Sequence, residues 1–240
     1  MRKKIELIIC GIVLLFATTG CNDYSNCEPG LGPIISTEIT LDDFEGISFD
    51  VAGNVHIVQD TFQRVVVESY ENIIAGLNTQ VNDGVWDIRF RNCFSSYDKF
   101  DVYISVPNLN RVILSGSGNI NGEGTFMVEQ FEAFILGSGN INLQAEASSM
   151  DLEISGSGNI FMAGIANDLS VTISGSGNIL AQELESETCN VSIPGSGNCD
   201  VFVTEELDVF IGGSGSVRYK GDPPVVNTRI SGSGTVTPIN

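Results

Sequence analysis

Ile154-Ser155-Gly156-Ser157-Gly158-Asn159-Ile160 is one copy of a unit that keeps returning through the second half of this 240-residue chain. Gly-Ser-Gly-Asn starts at Gly116, Gly137, Gly156, Gly175 and Gly195, and goes on as Gly-Ser-Gly-Ser at Gly213 and Gly-Ser-Gly-Thr at Gly232. Successive starts lie 21, 19, 19, 20, 18 and 19 residues apart. So steady a period is the mark of stacked structural units.

The residues around the glycines say what those units are. Two before the first Gly stand Leu114, Ile135, Ile154, Ile173, Ile193, Ile211 and Ile230; four after it stand Ile120, Ile141, Ile160, Ile179, Cys199, Val217 and Val236. The positions four and six before it are apolar in nearly every copy, whereas the alternate parity holds Glu132, Asp151, Ser170, Asn190 and Asp208. Alternation of this kind is a strand with one face inside. Two glycines per unit and β-branched residues throughout exclude a helix, and a propeller blade takes about 40 residues. The reading is all-β: a right-handed parallel β-solenoid with coils of about 19 residues, each rising one strand spacing of about 4.8 Å. About four aliphatics per coil, at roughly 1.5–3 kcal/mol each, offset the ordering entropy only when coils stack.

Each Gly-Ser-Gly is then a corner. The pairs Gly116 and Gly118, Gly137 and Gly139, Gly156 and Gly158, Gly175 and Gly177, Gly195 and Gly197, Gly213 and Gly215, and Gly232 and Gly234 lack a Cβ either to let coils approach or to reach positive φ. Asn119, Asn140, Asn159, Asn178 and Asn198 are expected to stack as a ladder of amides bonded along the axis. With no Lys after any copy and no helix following, the motif is no phosphate-cradling loop.

Residues 37–107 read as an irregular β-rich region that caps the solenoid, and 108–240 as its regular part, the two together forming one domain. Ser48-Phe49-Asp50-Val51-Ala52-Gly53-Asn54-Val55 looks like a worn copy of the repeat, with Asn54 in the place of Asn119. Asn82-Asp83-Gly84 between Val81 and Val85-Trp86-Asp87-Ile88 predicts a hairpin, since both turn residues tolerate positive φ.

At the other end, Arg2-Lys3-Lys4, an apolar run from Ile5 to Ala17 and Thr18-Thr19-Gly20-Cys21 have the layout of an export signal over residues 1–20. The small residues before Cys21 resemble a lipoprotein lipobox, which implies acylation of Cys21 and a lipid anchor in the outer membrane, with the side of that membrane left open. An ordinary cleaved signal is the alternative. Residues 21–36 read as a flexible tether. Loss of residues 1–20 leaves 8 basic against 29 acidic residues, a net charge of −21. Such a surface repels nucleic acid. Of the remaining cysteines, the spacing of Cys27, Cys93, Cys189 and Cys199 fits no zinc pattern, and an oxidising compartment permits disulfides among them. Cys189 and Cys199 occupy positions that are apolar in other coils and read as buried thiols, with a mutual disulfide as the alternative.

The Ile-Ser-Gly-Ser-Gly-Asn-Ile repeats, Val106-Pro107-Asn108-Leu109 ahead of the first, and Val217-Arg218-Tyr219-Lys220-Gly221-Asp222-Pro223 near the end resemble the family described as putative auto-transporter adhesin, head GIN domain. The resemblance covers about Phe44 to Val236. It implies a β-solenoid on the envelope of Bacteroidetes-type bacteria, with adhesion suggested by the name. Leu136 and Pro194 depart from the family's Ser before the first Gly.

Candidate chemistry is sparse. Glu132 and Asp151 fall in one outward row in adjacent coils, with Glu153 two residues on. Carboxylates so placed can share a proton or bind an oxygen-liking cation, but the Asp of a calcium-binding repeat is absent, so neither a metal nor a cofactor is implied. His56 is the only histidine and reads as an outward strand residue. Trp86, Phe90, Phe94, Tyr97 and Phe100 concentrate the aromatics; Trp86 and Tyr97 either stack on a ligand or help close the solenoid end. The functional expectation is adhesion, or glycan or protein binding, without catalysis. Its alternatives are a polysaccharide-active enzyme built on Glu132, Asp151 and Glu153, and a structural envelope protein.

Overall fold

A computed structural model describes residues 27–239. The segment read as an export signal and the expected acylation site Cys21 lie outside the described residues. In chain order the elements are β1 (Glu28–Pro29), β2 (Ile34–Ile39), β3 (Gly46–Phe49), β4 (Asn54–Gln59), β5 (Arg64–Tyr70), α1 (Glu71–Ala75), β6 (Val81–Asn82), β7 (Val85–Ile88), β8 (Phe94–Ser96), β9 (Phe100–Val106), β10 (Arg111–Leu114), β11 (Asn119–Glu123), β12 (Phe126–Met127), β13 (Gln130–Ile135), β14 (Asn140–Ile154), β15 (Asn159–Ile173), β16 (Asn178–Ile193), β17 (Asn198–Ile211), β18 (Ser216–Lys220), β19 (Val225–Ile230) and β20 (Thr235–Pro238).

The repeat builds a parallel β-solenoid. In β14 the inward residues are Ile141, Leu143 and Ala145, and then, after a change of parity at a bend, Met150, Leu152 and Ile154. Each coil therefore has two runs: a back wall after the glycine corner and a front wall before it. Six inward side chains per coil are buried here, two more than the repeat pattern alone indicates, because the back wall continues past Ile141. Like residues stack: Ile141 pairs with Ile160, and Leu152 with Val171. The uneven period is absorbed in the back wall and the bend, where register shifts separate Phe161 from Ala163 and Ala181 from Glu185.

The corner glycines are explained by close approach. None of the fourteen lies among the glycines of positive φ. A Cβ on Gly158 would sit 1.9 Å from the carbonyl oxygen of Gly139, and one on Gly156 equally close to that of Gly137. Those carbonyls are in use: Ser157 N–H donates to Gly137 O at 3.0 Å and Asn159 N–H to Gly139 O at 3.2 Å. The predicted ladder is present, with Nδ2 to Oδ1 distances of 2.9 Å from Asn140 to Asn119, Asn159 to Asn140 and Asn178 to Asn159, and 3.0 Å from Asn198 to Asn178. It extends backward from Asn119 to Asn54 and on to Asp101, an acceptor that ends the donor chain. Leu136 and Pro194 are tolerated because their side chains point outward. At the Pro194 corner the neighbouring Gly195 N–H still reaches Ile173 O at 3.1 Å, so the coil keeps that bond.

The region before the first intact repeat does more than cap. β3 and β4 form a coil directly beneath β10 and β11, with Asn54 beside Asn119 as the worn copy predicts. β7 and β9 form another coil beneath that one, so the coils stack out of chain order. Val106-Pro107-Asn108-Leu109 is the crossover that returns the chain over the intervening coil, with Leu109 buried and Asn110 N–H donating to Glu45 O. The hairpin forms at β6 and β7, with Asp83 at φ 51° and Gly84 at φ 73°.

Outside this first coil the back wall gains β5 and then β2, both antiparallel. Phe90 makes edge contacts with Phe94, Tyr97 and Phe100 at 5.1–5.5 Å and helps close the end. Of the tether expected over 21–36, residues 27–36 are among the described residues and are held against the domain. A disulfide joins Cys27 to Cys93, β1 pairs with β8, and Asn72 bonds both Leu31 N–H and Pro29 O. Cys189 and Cys199 are free and buried.

Candidate functional site

Strand geometry sets the outward residues of the front wall in axial rows. One row runs Arg111, Glu132, Asp151, Ser170, Asn190, Asp208, Asn227, each paired in register with the next. A parallel row runs Gln130, Ser149, Asp168, Thr188, Glu206. Between them the wall is concave, with a groove of about 510 Å³ over the middle coils. It shares Gln130 and Glu132 with a hollow of about 440 Å³ towards Glu45 and Asn110, and Asn190 and Asp208 with one of about 320 Å³ towards Arg229. The groove thus crosses seven strands, about 30 Å at the usual strand spacing.

The structure brings Glu132 and Asp151 together as adjacent members of one row, with Glu153 in the next row of the same wall. Burial raises the Asp151 carboxyl above its ordinary value; a hydrogen bond from Ser170 opposes the shift, and the charges of Glu153 and Glu132 add to it. Glu132 has a counter-ion that the acidic reading lacked. Arg111 Nε lies 2.5 Å from its Oε2, and the pairing pushes the guanidinium further up. Arg111 stands five residues before Gly116, as Glu132 stands five before Gly137, so the row was readable from the repeat register. Asp168 accepts from Thr188 Oγ1 at 2.7 Å, and Glu153 from Ser155 Oγ at 2.9 Å. The walls therefore present carboxylates, amides and hydroxyls at one coil's spacing, which suits multiple hydrogen bonds to an extended ligand.

The two aromatic candidates leave this list. Trp86 is fully buried beside Ile47 in the core, packs on Phe44, and donates its Nε1 proton to Asn78 O at 3.0 Å. Tyr97 is half-buried, packs edge-on against Phe90, and donates its hydroxyl to Ala52 O; burial raises its pKa. Both help close the end of the solenoid. His56 sits on the back wall, stacked on Tyr103 at 5.0 Å. Among the described residues no group of three or more His, Cys, Asp or Glu side chains is placed to hold a metal ion. Burial pushes the Cys189 thiol up to about 12. Sequence reasoning also missed the wall pair on the other side, where Asp200, nearly inaccessible, is held by Arg218 and by Gln182 Nε2 at 2.7 Å.

Comparison with known proteins agrees with the fold. No curated protein matches the chain. A putative adhesin of Bacteroides fragilis superposes with a TM-score of 0.82 at 23% identity, covering 88% of this chain and 99% of the other. A putative lipid binding protein of Parabacteroides distasonis gives 0.74 at 24%, over 88% and 99%. A putative adhesin of the same species gives 0.70 at 26%, over 89% and 100%. The first two, under a quarter identical, speak for the fold alone. The profile of the family described as putative auto-transporter adhesin, head GIN domain matches residues 43–223, from just before β3 to just after β18. Solenoid, corner motif and family match coincide over these residues, and the chain belongs to that family.

Proposed function

We propose that this chain is a cell-envelope adhesion protein that holds an extended ligand, a glycan or a protein segment, along the front-wall groove without transforming it. The observation that carries the reading is the groove's continuity over seven strands, lined in register by hydrogen-bonding side chains. A linear polymer presents polar groups at regular intervals, and rows one coil apart meet several of them at once. Weak contacts repeated along one rigid wall add up without each having to order a loop.

Three features favour holding over catalysis. Glu132 already spends Oε2 on its ion pair with Arg111, so that oxygen is committed to a neighbour in the wall. The groove is open along its length, so nothing excludes water from a reacting bond. His56 lies on the opposite wall. Acyl chains on Cys21 would attach the domain to the outer membrane, and stable anchoring calls for more than one chain.

Glycan arrays and binding to immobilised matrix proteins test the reading, run beside a reducing-end release assay. The Glu132→Gln, Asp151→Asn variant should lose binding while keeping the β-sheet circular dichroism spectrum of the native chain. Turnover that disappears in a Glu132→Ala, Asp151→Ala variant would sink it in favour of an enzyme, and binding indifferent to both substitutions would remove the groove. Cys21→Ala should move the protein to the soluble fraction; retention in the membrane refutes the anchor.

A further inference from the structure

The two ends of the solenoid differ. The first coil is covered by β6 on the front wall and by β5 and β2 on the back. The last coil, β19 and β20, has no strand beyond it among the described residues. Val226 and Ile230 occupy core rows whose preceding members, Leu207 and Ile211, are fully buried, yet they are 38% and 43% exposed.

The edge of β19 has a definite polarity. Along the front wall, inward residues turn their carbonyls to the next coil: Ile135 O accepts from Ser155 N–H, Ile154 O from Ser174, and Ile211 O from Ser231. N–H and C=O of one strand residue point the same way and alternate with those of its neighbours, so Val226, Thr228 and Ile230 aim three donors and three acceptors off the end. On β20 the corresponding parity is Val236 and Pro238, and Pro238 has no donor. Proline is a common guard of exposed edges. The back-wall edge is blunted and the front-wall edge is open.

We propose that β19 pairs antiparallel with β19 of a second copy of this chain, joining two solenoids end to end about a two-fold axis through Thr228. The register is self-complementary. Centred on Thr228 it places Val226 opposite Ile230 of the partner copy, inward against inward, and satisfies all six free backbone groups. It sets Arg229 opposite Asn227 of the partner copy, with Asp208 next along that row, so the cation meets a carboxylate and no second arginine. A head-to-tail stack is blocked, because the first coil is already covered. Charge agrees: residues 212–239 hold three basic residues and one acidic, a net +2, whereas residues 27–211 hold 5 basic against 27 acidic, a net −22. Contact at this end keeps the two acidic bodies as far apart as the shape allows. Both grooves would then run into one front wall about twice as long.

Sedimentation velocity of the full chain in mild detergent over a concentration series, with oxidative cross-linking of Thr228→Cys, tests this. Paired Cα atoms across the axis would stand about 5.5 Å apart, within reach of a disulfide. The native chain should sediment at twice the monomer mass. Thr228→Pro removes only a donor that faces off the edge, so it should give a monomer with an unchanged β-sheet circular dichroism spectrum. Thr228→Cys should give a linked dimer and Ser157→Cys, at a mid-solenoid corner, should not. If Thr228→Pro fails to fold, Val226→Lys, which sets a charge against the partner's Ile230, must give the monomer. A native chain that stays monomeric at every concentration, including one whose open end takes up anionic vesicles instead, overturns the proposal, as does Thr228→Cys that never links.

Discussion

Gly158→Ala adds one methyl group and tests the central claim about the repeat. Its Cβ would lie 1.9 Å from Gly139 O and 3.0 Å from Ile135 Cγ2, where ordinary contact begins near 3.4 Å. Relief requires the corner to move outward by more than an ångström. That stretches the Asn159 N–H to Gly139 O bond of 3.2 Å and the Asn159 to Asn140 side-chain bond of 2.9 Å beyond use. Two hydrogen bonds at about 1 kcal/mol each and overpacking of about 1–3 kcal/mol put the loss at roughly 3–5 kcal/mol, or about 6–20 °C in Tm for a domain of this size. Gly212→Ala is the matched control. Its Cβ would meet Phe210 at 3.4 Å, and other copies carry Ser, Leu or Pro there, so it should stay within about 0.5 kcal/mol of the native chain. Urea melts followed by circular dichroism, with a thermal melt alongside, give the comparison. Equal stability of the two variants would refute close approach as the reason for the corner glycines.

Asn159→Ala removes two ladder bonds of 2.9 Å and orphans Asn140 Oδ1 and Asn178 Nδ2, both half-buried; a loss of about 2 kcal/mol is expected in the same melts. Removing the disulfide with Cys27→Ser, Cys93→Ser should cost roughly 2–4 kcal/mol and expose residues 28–33 to limited proteolysis, because β1 has only two residues of pairing to hold it. Burial raises the folded-state value of Asp151, so the native chain holds that proton more tightly than the unfolded chain. Its contribution to stability is then fully present below the unfolded carboxyl value, about 3.9, and is lost as pH rises through the folded one. Asp151→Asn should accordingly raise Tm at neutral pH by calorimetry, with the gain vanishing in acid; an unchanged or lowered Tm at neutral pH counts against it.

What the sequence reveals follows from what repetition can encode. Ile154 and Ile173 sit beside each other because the chain returns to the same place every coil, so spacing alone locates them, and it locates Asn54 beside Asn119 as well. Spacing is silent where the chain leaves that order. Nothing near Val85 says that its coil lies beneath the one formed earlier by Gly46–Phe49, since that placement depends on the Val106–Leu109 crossover and on β5 returning antiparallel. Trp86 was ambiguous for the same reason: it shares parity with Ile88, but only its neighbour Ile47 shows that this face is inside. Arg111 was legible by register, five residues before Gly116 in the row that holds Glu132, and it supplies the ion-pair partner at the row's end. The link from Cys27 to Cys93 spans 66 residues with no periodic signal at either end.

The repeats also permit a comparison within one chain. Two positions before the corner, seven copies hold one Leu and six Ile; five before it, the same copies hold Arg111, Glu132, Asp151, Ser170, Asn190, Asp208 and Asn227. Both positions lie in the same strands under the same spacing, so the difference reflects what each must satisfy. The inward row must fill a fixed volume against its neighbours above and below, and one aliphatic answers that in every coil. The outward row carries no such demand, because corner glycines, amide ladder and core already set coil spacing and register. Its residues can change one coil at a time without disturbing the fold, and a wall whose chemistry can be edited coil by coil, at constant geometry, is what recognition of an extended ligand requires. If the groove is the binding surface, specificity resides in the order of charge, amide and hydroxyl along that row, and exchanging Asp151 with Ser170 should alter which ligand is held while leaving the β-sheet circular dichroism spectrum of the solenoid unchanged.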